Sequence, residues 1–211
     1  MEKQLTKIDY AQLLLKRLYP NTTADKKTTE PQAMLAISQA ANKLRLREIF
    51  QLKSTGSNLI PSQYLSVFTE ETKYDEDRCE VYCDLPVRVL SINSKQGTNQ
   101  GLYFVSFAKN RSQQFIPTGA NFSSAFRYSA AKSLEGEIAF YQEENRLYFV
   151  DGVEKGEKVF MRLLADAEDI GEYDYFPIDG AVQQDMLAMA QEILMPQRQM
   201  PEDLRTDNIS E

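Results

Sequence analysis

Apolar residues recur at helical spacing at both ends of this chain and alternate with polar ones through its middle. Ile8, Ala11, Leu15 and Leu18 form the first helical stripe. Thr6-Lys7-Ile8-Asp9 supplies a capping box in which Asp stands at the fourth place. Pro20 and Asn21 stop that helix, and the polar run NTTADKKTTE follows. A longer helix is predicted from Thr29-Glu30-Pro31-Gln32, where Thr caps, Pro sits in the first turn and Gln completes the box. Its face reads Met34, Ile37, Ala41, Leu44, then Ile49 or Leu52. Lys43, Arg45 and Arg47 lie toward its C-terminal half, where the helix dipole favours cations. Residues 1–53 therefore read as an antiparallel helical hairpin.

Residues 54–79 read as a connector. KSTGSNLIPSQ breaks the helix, YLSVFTE is a possible strand and ETKYDEDR a charged turn. Over 80–165 the period changes to two. EVYCDLP, VRVLSIN, GLYFVSFA, QFIPT, EIAFYQEENRLYFVDG and EKVFMRLLA are short strands rich in Val, Ile, Tyr and Phe. Within them AFYQEENRLYFV predicts a hairpin with a four-residue turn. Residues 121–134, NFSSAFRYSAAKSL, are compatible with a loop or a short helix. An acidic, aromatic linker then leads to a C-terminal helix capped by Asp179, with Val182, Met186, Met189 and Ile193 as one stripe, so 166–195 form linker and helix. Pro196 and Pro201 predict an extended or disordered arm over 196–211. The fold class is α+β: an N-terminal helical hairpin, a central, mostly antiparallel β-sandwich or open barrel, and a C-terminal helix with an extended tail.

Composition narrows the chemistry. A chain of 211 residues with 42% hydrophobic and 26% charged residues suits one globular domain, with or without helical extensions. Without an apolar run near ~18 residues, no membrane partner is expected. MEKQLTKIDY has no apolar core behind its lysine, so no secretion signal is expected either. Cys79 and Cys83 sit four residues apart in a strand-like segment, roughly 13 Å at ~3.3 Å per residue, too far for a disulfide. Two half-buried thiols are expected. The chain has no histidine, which removes Ser-His-Asp and Cys-His nucleophiles, histidine metal ligands and the commonest general base. The acidic residues Glu70, Glu71, Asp75, Glu76, Asp77 and Glu80 lack the central Gly and ligand spacing of a calcium loop and read as a solvated turn. DGVEKGEK, with Gly152 and Gly156, lacks the Lys-Ser/Thr of a phosphate loop. No catalytic residue, cofactor or metal is assigned, and no enzyme is expected.

Charge is distributed unevenly. Residues 1–53 carry ten Lys/Arg against five Asp/Glu, whereas 166–211 carry two against twelve. Such polarity suits head-to-tail subunit contacts; it equally suits pairing of the two ends within one molecule, or two solvated faces. On the first reading the candidate assembly residues are Val182, Met186, Met189, Ile193, Met195 and Met200, set against Lys43, Arg45 and Arg47. The methionine stripe is either core or an adaptable docking face.

Two N-terminal helices, a β region opening at Leu85-Pro86, Tyr103, a late hairpin with Tyr141 and Tyr148, the strand VFMRLL and a C-terminal helix stand in that order. Over roughly residues 30–195 this order resembles the head-to-tail connector, or neck ring, proteins of short-tailed crAss-like phages of Bacteroidetes. The resemblance implies a non-enzymatic virion protein assembled in the host cytoplasm. It further implies a ring homo-oligomer below the portal, contacting portal and other neck or tail proteins, with transient passage of DNA and no specific DNA binding. A net charge of −7 suits a conduit in which DNA slides. Two other classes fit the residues: a carbohydrate- or protein-binding β module with helical attachments, and a histidine-free enzyme using carboxylates.

Overall fold

The computed structural model describes residues 5–20, 28–57, 60–92, 101–120, 136–178 and 180–198. The chain divides into two compact units, one of Met1–Leu59 with Ile170–Glu211 and one of Ile60–Asp169. Residues 121–134, Asp179 and Met200 lie outside the described residues, as do the predicted cap and the arm beyond 198.

The first unit is helical, with α1 (Lys7–Leu18), α2 (Glu30–Ser54) and α3 (Gln183–Arg198). Both predicted capping boxes form. The Thr6 N–H donates to Asp9 Oδ2 at 3.0 Å while Thr6 Oγ1 accepts from the Asp9 N–H at 3.3 Å. At α2 the Thr29 N–H donates to Gln32 Oε1 at 2.9 Å. Each box satisfies donors that the first turn of a helix leaves without partners. α2 packs against both α1 and α3, and α1 also touches α3. Because α2 has neighbours on two sides, its buried positions wrap more than half its circumference: Ala33, Ile37, Ala40, Ala41, Leu44 and Ile49 among them. The segment after residue 170 lies along the start of α1. Lys7 Nζ donates to the Ile170 carbonyl at 3.1 Å, the Ile8 N–H to Glu172 at 3.1 Å, and Phe176 N–H to Leu5 at 3.3 Å. Tyr10 meets Phe176 with ring centroids 5.8 Å apart. The two ends of the chain thus build one unit, where the pattern predicted a separate hairpin over 1–53 and a separate linker and helix over 166–195.

The second unit holds two sheets. One is three-stranded and antiparallel, in the order β1 (Ser66–Glu71), β8 (Lys158–Leu163), β4 (Leu102–Phe107). The other has the order β2 (Lys73–Asp75), β3 (Glu80–Asp84), β7 (Arg146–Phe149), β6 (Ala139–Glu143), β5 (Ile116–Pro117), and only β5 and β6 run parallel. The sheets are mostly antiparallel, as the pattern predicts for a sandwich or open barrel, and among the described residues their ladders do not close into a barrel.

The chain passes from one sheet to the other four times, after β1, β3, β4 and β7, and the first three passages are held as follows. Thr72 alone separates β1 from β2. It is buried, its N–H donates to Glu157 O at 2.9 Å, its carbonyl accepts from Gly156 N–H at 3.0 Å, and its hydroxyl donates to Glu154 O at 2.6 Å. After β3, Leu85 exchanges hydrogen bonds with Asn145, and Val89 then bridges Ala165 beyond the end of β8. At Phe115 the N–H donates to Val105 O at 2.8 Å, while that of Ile116 donates to Ile138 O at 2.8 Å. The backbone groups named here are paired, as burial demands.

Several boundaries differ from the pattern. The connector predicted over 54–79 holds β1 and β2, so the β unit starts at Ile60 and the turn around Asp75 is flanked by ladders. VRVLSIN forms one isolated bridge at Val89, because Pro86 and the crossing leave no length for a ladder. The β6–β7 hairpin pairs Glu143 with Arg146 and so turns on two residues, with Glu144 at a φ of 51°. Cys79 occupies the turn before β3 at a φ of 53° and is exposed, whereas Cys83 on β3 is fully buried; both thiols are free. Burial pushes the Cys83 thiol up to about 12. Finally, α3 runs through Pro196 to Arg198. Proline's φ is compatible with a helix, so its missing N–H removes one ladder bond without turning the chain aside.

Candidate assembly surfaces

The residues proposed for assembly separate once the helices pack. On α3 the buried stripe is Met186, Leu187, Ala190 and Leu194. Met186 is 0% exposed and belongs to the core, and Val182, Met189 and Ile193 are half-buried at its margin. Only Met195, at 44% exposure, stands out to solvent. The reason is rotation: the contacts with α2 and α1 centre one residue later than the 4-3-4 spacing implied. On α2, Lys43 and Arg47 are exposed, but Arg45 is 1% exposed. Its Nη2 donates to Asn42 Oδ1 at 2.8 Å and its Nε to the Ala41 carbonyl at 3.4 Å, so it is a structural cation. Burial of a guanidinium requires such partners.

Two residues that the pattern did not single out complete the α2 surface. Leu35 and Phe50 are each 50% exposed. They are fifteen positions apart, close to four helical turns, so they lie toward one side of α2, which Lys43 shares, whereas Arg47 lies about a third of a turn from Leu35. A helix with this many apolar positions offers no sequence signal for which ones its neighbours leave uncovered.

A second surface lies on the five-stranded sheet. Tyr82, Tyr148 and Tyr141 sit directly opposite one another on β3, β7 and β6. Their ring centroids are 5.7 and 5.3 Å apart, and Tyr141 and Tyr148 are stacked. The Arg146 guanidinium lies 4.5 Å over Tyr82 and that of Arg78 4.8 Å over Tyr148. Both are anchored by carboxylates, Arg78 by Glu143 and Arg146 by Asp84 at 3.3 Å, while Tyr141 donates to Glu80. Cation–π contact and charge pairing thus cover the rings. A sugar-binding platform needs a free aromatic face; these three faces are occupied by the protein's own side chains. The signal for the ladder was the matched spacing of Tyr141 and Tyr148 about the hairpin turn. Among the described residues no group of three or more acidic or cysteine side chains is placed to hold a metal.

This surface makes stability depend on acid. The hydrogen bond from Lys73, then the charges of Lys73 and Arg146, hold the Asp84 carboxyl below its ordinary 3.8. Arg78 likewise holds Glu143 below 4.5. Because both carboxylates are depressed in the folded state, their contribution is complete above the ordinary values and disappears as pH falls through the lowered ones. Melting followed by circular dichroism should therefore show Tm falling below about pH 5, with a shallower fall for Glu143→Gln and in high salt. A Tm that stays flat from pH 6 to 3 would contradict this account.

No protein-family model and no curated protein sequence matches the chain. Among the described residues no helix is long and apolar enough to cross a membrane.

Proposed function

We propose that this chain is a self-assembling structural subunit of a virion, a ring component of a head-to-tail connector stacked below the portal. The observation that carries the reading is where the large exposed apolar side chains lie. Among the described residues, Leu13, Leu35, Phe50, Tyr173, Tyr175 and Met195 belong to the helical unit, against Val67 and Tyr74 on the β unit. Exposed apolar groups concentrated on one unit of a soluble fold are what a subunit interface uses. The uneven charge of the chain supplies register for such contacts, and its acidity suits a channel through which DNA passes without being gripped. The order of helices, tyrosine-rich strands and C-terminal helix, with its likeness to neck ring proteins, supports the choice of this assembly over others.

The test is size and shape in solution. Light scattering and negative-stain images of the full chain should reveal a closed ring, alone or on addition of a portal ring. A monodisperse monomer at high concentration that binds no portal protein would overturn the reading. The competing β-module reading predicts instead a monomer that gives a specific hit on a glycan array.

A further inference from the structure

We propose that neighbouring copies meet by docking the exposed face of α2 on one copy against the exposed face of α3 on the next. This rests on the ring reading above and names its contact. On α2, Leu35 and Phe50 stand exposed about 22 Å apart along the axis at ~1.5 Å per residue, and Lys43 and Arg47, one turn apart, are exposed cations between them. On α3, Asp185, Ala188, Glu192 and Met195 are spaced 3, 4 and 3 and are all exposed, so they form one face. That face carries two carboxylates, a small residue at its middle that lets another helix approach, and an exposed methionine that adapts to an apolar neighbour.

The two faces complement each other in charge and chemistry. Lys43 and Arg47 offer two cations between the exposed Leu35 and Phe50; Asp185 and Glu192 offer two anions beside Ala188 and Met195. Among the described residues none of these four charged side chains has an ion-pair partner within its own chain. The occupant of each face is therefore a second copy of this chain. The two patches differ, so the contact is heterologous and repeats around an axis until the ring closes. Closure of the ring adds the persistence of many linked contacts to that of each one.

Charge reversal tests the pairing. All four side chains are exposed, so the variants should fold, which circular dichroism checks. Lys43→Glu with Arg47→Glu should weaken assembly of the full chain at least tenfold in analytical ultracentrifugation, and Asp185→Lys with Glu192→Lys should do the same. The quadruple variant restores opposite charges across the contact and should assemble as the unaltered chain does. An equimolar mixture of the two double variants should also assemble, with copies alternating. If the unaltered chain assembles and the reversals leave assembly unchanged, or the quadruple variant fails to recover it, this contact is overturned and the ring reading stands. If the unaltered chain stays monomeric at every concentration, the ring reading fails and the contact with it.

Discussion

Replacing Phe115 by alanine should cost the β unit about 3–5 kcal/mol, more than any other single truncation in it. Phe115 stands where the chain leaves the edge of β4 for the edge of β6, and its side chain is fully buried. Its ring meets Phe107 at 5.0 Å and Phe149 at 5.9 Å, both nearly edge-on. Phe107 belongs to the three-stranded sheet and Phe149 to the five-stranded one, so one side chain joins both layers of the core. Truncation removes its buried area and two aromatic contacts worth about 0.5–1.5 kcal/mol each, and leaves a space in a close-packed interior. A domain holds a total stability of about 5–15 kcal/mol, so the variant should unfold at markedly lower urea. Phe115→Leu keeps most of the volume and should lose much less. Val67→Ala, on an exposed position of β1, should change stability by no more than about 0.5 kcal/mol. Urea unfolding monitored by circular dichroism separates the three. A loss below about 1 kcal/mol for Phe115→Ala would show that the sheets hold together without it.

Local chemistry was legible in the sequence wherever a few neighbouring residues decide the outcome. Thr6 with Asp9, and Thr29 with Gln32, marked both helix starts because a capping box involves only four residues. The alternation in EVYCD, LYFVSF and KVFMRL marked β3, β4 and β8 for the same reason. What could not be read depends on distant partners. The single residue Thr72 turns the chain from one sheet to the other only because Glu154, Gly156 and Glu157 receive its backbone and hydroxyl. The assignment of 54–79 to a connector failed there: KYD is too short to announce a strand, and it becomes one by pairing with β3. Likewise Pro86 left VRVLSIN with a strand-like composition but only one bridge.

The candidate surfaces follow the same division. Lys43, Arg45 and Arg47 read alike in the sequence as cations on α2, and only the packing around α2 buries Arg45 between the other two. Leu35 and Phe50 have the composition of core residues, and only the positions of α1 and α3 decide that they stay uncovered. The opposite charge of the chain's two ends admitted pairing within one molecule or between molecules. Packing of α3 and the segment after 170 against α1 and α2 joins the ends within one chain, yet it leaves Lys43, Arg47, Asp185 and Glu192 facing outward.

The methionines of the last helix separate these two uses most sharply. Met186→Ala should destabilise the helical unit by about 2–5 kcal/mol, because Met186 is completely buried beside Leu187, Ala190 and Leu194 and its loss leaves a cavity among three packed helices. Met195→Ala should alter stability by no more than about 0.5 kcal/mol, since its side chain is largely in water. Assembly should respond in a different order. At concentrations and temperatures where both variants remain folded, Met195→Ala should weaken self-association, and Met186→Ala should leave it unchanged. A Met186→Leu variant, which conserves volume, should recover most of the lost stability and thereby separate packing from any property of the thioether. Thermal melts read the first effect and sedimentation the second. If Met186→Ala melted like the unaltered chain while abolishing association, Met186 would belong to the docking face rather than to the core, and the rotation of α3 described above would be wrong.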